Sequence, residues 1–419
     1  MGGWTTGRGL GIRSLYHEVL ALPTFIPAFF LLLLAAAGLE ETSPGAIFWT
    51  APAILGSALM IAWAAESAQF FIAQGFALAI LAWMQTLPEF AIEALFAWHR
   101  QTDYLVAGLT GALRLLTGLG WPVIYFTAAT VHRRRTGKPL GHIRLEDHQA
   151  IEVMSLAAPL IYFAFVIWKG SLSILDGAVL LGMYAAYLLI LGRMPPEDVE
   201  TIEEMEAIPR KIVTSPKPLR IALIAMLFVG GGLLIYFTTE PFAGSLLSLA
   251  TLVGVPGFVF VQWIAPIATE FPEMASTFYW SRTVDRAPMA LMNMVSSNIS
   301  QWSLLPALLP VLLSISSGRV TALVFDGLQR RELMMTLAQA LVGLMFLINM
   351  ELAFWEACAL FGLFLIPFAW HAAAPAVTLV YFAWAGVEVV RMLVGRRKPR
   401  ALSAFVEVWR TQIAPRRQR

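Results

Sequence analysis

Two carboxylates, Glu270 and Glu273, stand in PIATEFPEMAST (266–277), in the middle of a long apolar stretch. A related pattern, MQTLPEFAIEAL (84–95), sets Pro88 before Glu89 inside another apolar run. Proline lacks an N–H, and its ring clashes with the carbonyl four residues back. Pro88 therefore frees the carbonyl of Met84, and Pro272 frees that of Ala268. A carbonyl freed at membrane depth must be repaired or must line a cavity. Each break thus sets main-chain oxygens beside a carboxylate, and two facing breaks would supply two Glu side chains and several carbonyls. That inventory suits a hard divalent cation, since Ca²⁺ takes about 6–8 oxygens of mixed carboxylate and carbonyl type. A buried Glu costs about 2.5–3.5 kcal/mol at the bilayer centre, so Glu89 and Glu273 read as functional rather than as a structural hydrogen-bonded pair. Glu66, Glu93, Glu351 and Glu356 lie nearer predicted span ends and are expected to reach water.

The elements that position these groups follow from composition. The 419 residues are 58% hydrophobic and 13% charged, with mean hydropathy +0.71. A soluble domain carries roughly a quarter charged residues, so the chain reads as an all-α polytopic membrane protein. Cys358 is the only cysteine, which excludes an intrachain disulfide and a Cys-based metal cluster. At about 20 apolar residues per crossing, about twelve spans are expected: 19–39, 46–65, 70–98, 104–129, 151–168, 171–192, 221–239, 247–281, 288–314, 334–350, 352–370 and 374–394. Five regions result: an N-terminal tail with an extra span (1–45), a first membrane repeat (46–192), a charged linker (193–220), a second repeat with additional helices (221–394) and a basic tail (395–419). The linker holds six acids beside five bases and reads as a solvated hinge. Lys and Arg place both termini, the 130–150 loop, Arg282 with Arg286 and the GRRKPR tail in the cytoplasm. The 315–333 segment runs against this trend with Arg319, Arg330 and Arg331. Compact loops suggest a prokaryotic cytoplasmic membrane. Residues 401–413 read as an amphipathic helix on the membrane surface, with Arg416 and Arg417 toward lipid phosphates.

Aligning QTLPEFAIEALF (85–96) with TEFPEMASTFYW (269–280) superimposes Pro88 on Pro272 and Glu89 on Glu273. The two segments fall on the third and eighth spans, so they run oppositely through the bilayer. Inverted repeats with interrupted helices mark secondary transporters, whose site lies near the midplane between the repeats.

At these residues the chain resembles the sodium/calcium exchanger family of the calcium/cation antiporters. That family carries G-T-S-x-P-E and, on the next helix, G-N-x-x-G-S-N in each of two inverted repeats. ATEFPEMAST (268–277) matches at Thr269, Pro272 and Glu273; MNMVSSNISQ (292–301) matches at Asn293, Ser297 and Asn298. In the first repeat, MQTLPE keeps Pro88 and Glu89, with Gln85 and Thr86 at the hydroxyl positions. AGLTGALRLL (107–116) keeps only Gly111, with Gly108, Ala112 and Leu113 replacing Asn, Ser and Asn. The resemblance implies that Glu89 and Glu273 bind Ca²⁺, with Thr269, Thr86 and the carbonyls of Met84 and Ala268 completing the shell. Gln85, Glu270, Asn293, Ser297, Asn298 and Gln301 would form the polar surround, some of them handling the co-ion. One repeat would rock or slide against the other. Glu270 stands where the family has serine, and Arg114 follows the second motif directly. An unpaired charge is unstable at that depth, so Arg114 either pairs with Glu270 or Glu89 as a tethered cation or snorkels to an interface.

The reading is therefore a cation antiporter, Ca²⁺ against Na⁺ or H⁺, needing no cofactor beyond its transported ions and partnered by membrane lipids. A sodium/proton exchanger on the same scaffold and a non-transporting relative locked by Arg114 are the alternatives. A membrane-embedded metal hydrolase would need His or Asp ligands within spans, and the spans are almost free of them. His132, His142 and His148 sit among bases in a loop without H-E-x-x-H and read as solvated. VGGGL (229–233) has no following Lys and reads as helix packing. The chain offers no nucleic-acid surface and no catalytic triad.

Overall fold

The computed structural model describes residues 43–68, 71, 86–194, 205 and 207–414. The predicted span 19–39, most of 70–86, most of the linker's acids, and Arg416 with Arg417 lie outside the described residues. The rest is almost wholly helical: α1 Ile47–Ala68, α2 Leu87–Trp98, α3 Thr102–Leu115, α4 Trp121–Thr136, α5 Ala150–Lys169, α6 Ile174–Leu191, α7 Ala207–Thr214 and α8 Lys217–Val253 in the first part. The second continues with α9 Gly257–Thr269, α10 Phe271–Ser281, α11 Ala287–Trp302, α12 Leu304–Ser317, α13 Gly327–Leu347, α14 Phe354–Ala369, α15 Ala374–Leu393 and α16 Arg400–Val408. A π-helical turn, Leu116–Gly120, joins α3 to α4. Among the described residues, seven helical stretches are long and apolar enough to cross a membrane. Trp168, Leu175, Tyr236, Leu379 and Leu393 point outward, while the carboxylates lie inside. Apolar outside and polar within is the arrangement lipid selects.

Several predicted boundaries move. The breaks expected near 239 and 247 are absent, and α8 runs unbroken through Pro241. At the end of the expected span 221–239, the Thr238 and Thr239 hydroxyls bond back to the carbonyls of Leu234 and Ile235 at 2.5 Å each. Hydroxyl back-bonding keeps such residues inside a helix. The end of the presumed solvated linker also folds: in α7, Ile212 and Val213 are buried, and Ile212 packs with Ile61 and Leu227. Helix α16 lays Ala401, Ala404 and Val408 against the protein, where it packs on α5, so its apolar face is covered by protein rather than lipid.

Two short antiparallel ladders cross between the two parts of the chain. β1 (His142–Arg144) pairs with β4 (Glu351–Ala353), and β2 (Ser171–Leu172) pairs with β3 (Leu323–Val324). Helix contacts come in matching sets: α2 on α3 and α10 on α11, α3 on α13 and α11 on α5, α4 on α10 and α12 on α2, α4 on α14 and α12 on α6. Helices α1 and α8 lie along each other, joined by Thr50 Oγ1 and Ser245 Oγ at 2.9 Å. Gly231 of VGGGL meets Ile61 and the Ser57 carbonyl there, as helix packing requires.

Candidate cation site

Thr86 and Glu270 hold almost the same backbone conformation, φ −83°, ψ −3° and φ −85°, ψ −8°. Each precedes a helix whose first turn carries the Pro-Glu pair. The prolines start α2 and α10, a position where the missing N–H costs nothing because it has no intrahelical acceptor. The helices then begin in register, with Phe90 N bonded to Thr86 O at 2.9 Å and Met274 N to Glu270 O at 3.0 Å. Glu89 and Glu273 thereby stand in the first turns of their helices, where the positive end of the helix dipole favours a carboxylate. Ala268 lies in the last turn of α9; the residue four ahead is Pro272, which has no N–H to offer its carbonyl.

These segments bring four carboxyls together. Glu89 faces Glu270, Glu273 and Glu93, and Glu270 faces Glu93 and Glu273. Their relative exposures are 3% for Glu89, 2% for Glu93, 0% for Glu270 and 6% for Glu273. Glu93 was expected to reach water, and its burial corrects that reading: it follows Glu89 by one turn on α2, and its carboxyl packs against α3 beside Gly108, whose Cβ position lies 3.9 Å from Glu93 Oε1. Among the described residues of this cluster, Oε1 and Oε2 of Glu89, Oε2 of Glu93, Oε2 of Glu270, both oxygens of Glu273 and Oε1 of Gln301 are buried without a hydrogen bond of good geometry. Glu89 nonetheless lies within bonding reach of Glu270, and Glu273 within reach of Ser297. Gln301 donates to the other oxygen of Glu270, and Ser297 faces Glu273. Among the described residues no three acidic, His or Cys groups close into a preformed metal cage; the oxygens share one interior without converging on a point.

The polar surround is partly as expected. Asn298 accepts from Thr117 Oγ1 at 3.1 Å and donates to Met294 O at 2.9 Å. The π-helical turn that contains Thr117 is the kind of local widening often found at functional positions. Thr86 and Thr269 are buried, and Asn293 Nδ2 is buried without an acceptor. Met84 and Gln85 lie outside the described residues.

Arg114 does not pair with Glu270 or Glu89. Its guanidinium forms an ion pair with Glu332 on α13 and bonds Thr336 Oγ1 at 2.8 Å. Gln262 Nε2 donates to the same Glu332 carboxylate at 3.0 Å and to Thr110 Oγ1 at 2.9 Å. The cation is neutralised before it reaches the carboxyl cluster, because α13 packs against α3 and supplies an acid at its level. Glu332 was missed in the sequence: it follows Arg330 and Arg331 at a helix start, where an acid ordinarily meets solvent. Glu356, also expected in water, is buried against Arg397 at 2.8 Å.

Membrane-length helices around a carboxylate-lined interior define an integral membrane protein with a polar heart. The model of the sodium/calcium exchanger protein family matches residues 43–193 and 223–371, and the chain belongs to that family of membrane cation antiporters. Among solved structures it is similar to the H⁺/Ca²⁺ exchanger CAX, with TM-score 0.82 and 26% identity over 94% of this chain and 97% of that one. It also shares its fold with native YfkE, at TM-score 0.58 and 15% identity over 86% of this chain and 99% of the other. No curated protein sequence matches it.

Proposed function

We propose that the chain exchanges Ca²⁺ for protons across the membrane, with Glu89 and Glu273 binding the ion and Glu270 and Glu93 sharing the coupling charge. The observation that carries this reading is the buried cluster of carboxyls, most of whose oxygens lack a hydrogen bond of good geometry. Buried carboxylates must be matched by cations or protons. One Ca²⁺ balances two of the four, and the others need monovalent partners. Protons suit them better than Na⁺, because the first repeat has Gly108, Ala112 and Leu113 where the family's polar side chains stand. The relative with 26% identity is an H⁺/Ca²⁺ exchanger, which agrees. Thr86, Thr269, Ser297 and the Ala268 carbonyl would complete the shell, and Asn293, Asn298 and Gln301 the surround. That the oxygens do not yet converge fits a carrier whose cage closes only around its ion.

The scaffold is read as two inverted repeats. The paired contacts of α3–α13 with α11–α5, and of β1–β4 with β3–β2, are what a two-fold axis in the membrane plane would produce. The face carrying Arg133–Arg135, Arg282, Arg286 and Arg396–Arg400 would be cytoplasmic. The test is ⁴⁵Ca²⁺ uptake into proteoliposomes under an imposed pH gradient or an imposed Na⁺ gradient. Uptake driven by pH and abolished in Glu273→Gln is expected; uptake driven by Na⁺ alone overturns the proton assignment.

A further inference from the structure

A second cluster of charge lies away from the carboxyls, where the chain leaves α15. Gly395 takes a left-handed conformation, φ 74°, and turns the chain back. Arg396 N and Arg397 N then bond the Arg391 carbonyl at 2.8 and 3.1 Å, and Ala401 N bonds Ile348 O at 2.9 Å. This hairpin drives Arg397 inward, 6% exposed, between Glu356 at 2.8 Å and Glu388 at 3.0 Å. The Phe346 carbonyl takes a further bond at 2.8 Å. Arg397 Nε remains buried without an acceptor.

Beside it opens a cavity of about 620 Å³ bordered by Arg391, Arg396, Arg397, Lys398 and Arg400. Its bases are unequally used. Arg391 holds Glu388 at 2.7 Å and Arg400 holds Asp147 at 3.0 Å. Arg396 and Lys398 make no ion pair among the described residues. Of the cavity's acids, Glu356 is matched by Arg397 and Glu351 lies 3.8 Å from His142. Positive charge is in excess at the cavity, because Arg396 and Lys398 are exposed and unpaired beside the matched Arg391, Arg397 and Arg400. Guanidinium groups match phosphate oxygens geometrically, and basic pockets between membrane helices suit lipid headgroups. The last turn of α15, which carries Arg391 into the cavity, supplies the second half of such a ligand: Val390, Leu393 and Val394 are exposed at 57%, 81% and 65%, and Trp355 in the cavity wall stacks on Trp384 at 5.8 Å.

We propose that this cavity binds the phosphate of an anionic phospholipid, held by Arg396 and Lys398, with its acyl chains along Val390, Leu393 and Val394. The site is separate from the ion centre and does not depend on the exchange reading. Native mass spectrometry of the full chain in detergent, titrated with phosphatidylglycerol, phosphatidylcholine or inorganic phosphate, tests it. Phosphatidylglycerol is expected to bind in preference to phosphatidylcholine, and roughly thirty-fold more weakly in Arg396→Ala/Lys398→Ala. That variant leaves the buried Arg397 contacts in place, so its melting temperature checks that it folds. Equal retention of phosphatidylglycerol by the variant, or no preference over phosphatidylcholine, overturns the site. Inorganic phosphate binding with the same sensitivity to the variant, without phospholipid preference, overturns the lipid as its ligand.

Discussion

At the scale of single residues, the interior is organised by which charges are matched and which are left for cargo. Arg114 and Glu332 are matched: both are buried, and each is the other's counter-ion. Breaking a buried pair from one side costs about 3–5 kcal/mol, whereas replacing both members with apolar residues is often neutral. Arg114→Met should therefore lower the melting temperature sharply, and Arg114→Met/Glu332→Leu should recover most of it. A double variant no better than the single one would show that the pair does more than neutralise itself. Glu93 belongs to the unmatched set. Glu93→Gln should leave Ca²⁺ binding measurable by calorimetry while reducing the pH dependence of uptake; an unchanged pH profile would remove Glu93 from the coupling. Glu89, Glu270 and Glu273 were legible in the sequence because a carboxylate in an apolar run is costly and so is conspicuous. Glu332 was not, since its partner lies 218 positions away and only the packing of α3 on α13 brings them together.

Elements set those residues in place through close backbone approach as much as through side chains. Where α3 crosses α9, a Cβ added to Gly111 would fall 1.9 Å from the Gln262 carbonyl oxygen. No rotamer change relieves a clash with backbone, so the helices must separate, and overpacking of this kind costs about 1–3 kcal/mol or more. Gly111→Ala should destabilise the protein and disturb Gln262, which bridges Thr110 and Glu332. Gly56→Ala in α1, whose Cβ would meet nothing within 4 Å, should be neutral or gain up to about 1 kcal/mol from helix propensity. Equal melting temperatures for the two variants would contradict the close crossing. Gly111 was the one residue of its motif that the first repeat retained, so this constraint was visible as a letter before its cause was. Element boundaries were less legible. Thr238, Thr239 and Pro241 lie about the expected span end at residue 239, yet lipid leaves the backbone little choice but to stay helical, and α8 continues through them.

Across the whole molecule, the pairing of the two halves decides what can move. One repeat rocking or sliding against the other was the expectation, and β1–β4 and β2–β3 each tie the first half to the second. Such a motion would have to break both ladders. Helices α1 and α8 are held differently: with α7 they share a small apolar cluster of Ile61, Ala64, Ala65, Ile212, Leu227 and Ile235 outside the main core, and Gly231 lets them approach closely. The division that leaves every ladder intact sets α1 with α8 against the laddered remainder. The carboxyls of α2 and α10 lie beside that boundary, since both helices touch α1. In a Cys358→Ala background, His142→Cys/Ala353→Cys and Ser171→Cys/Val324→Cys place thiols at opposed ladder positions, where Cα separations of about 4.5–5.5 Å suit a disulfide. Either oxidised protein should keep most of its ⁴⁵Ca²⁺ exchange rate. If oxidation stops exchange and reduction restores it, the ladders part during transport, and the halves themselves are the moving bodies.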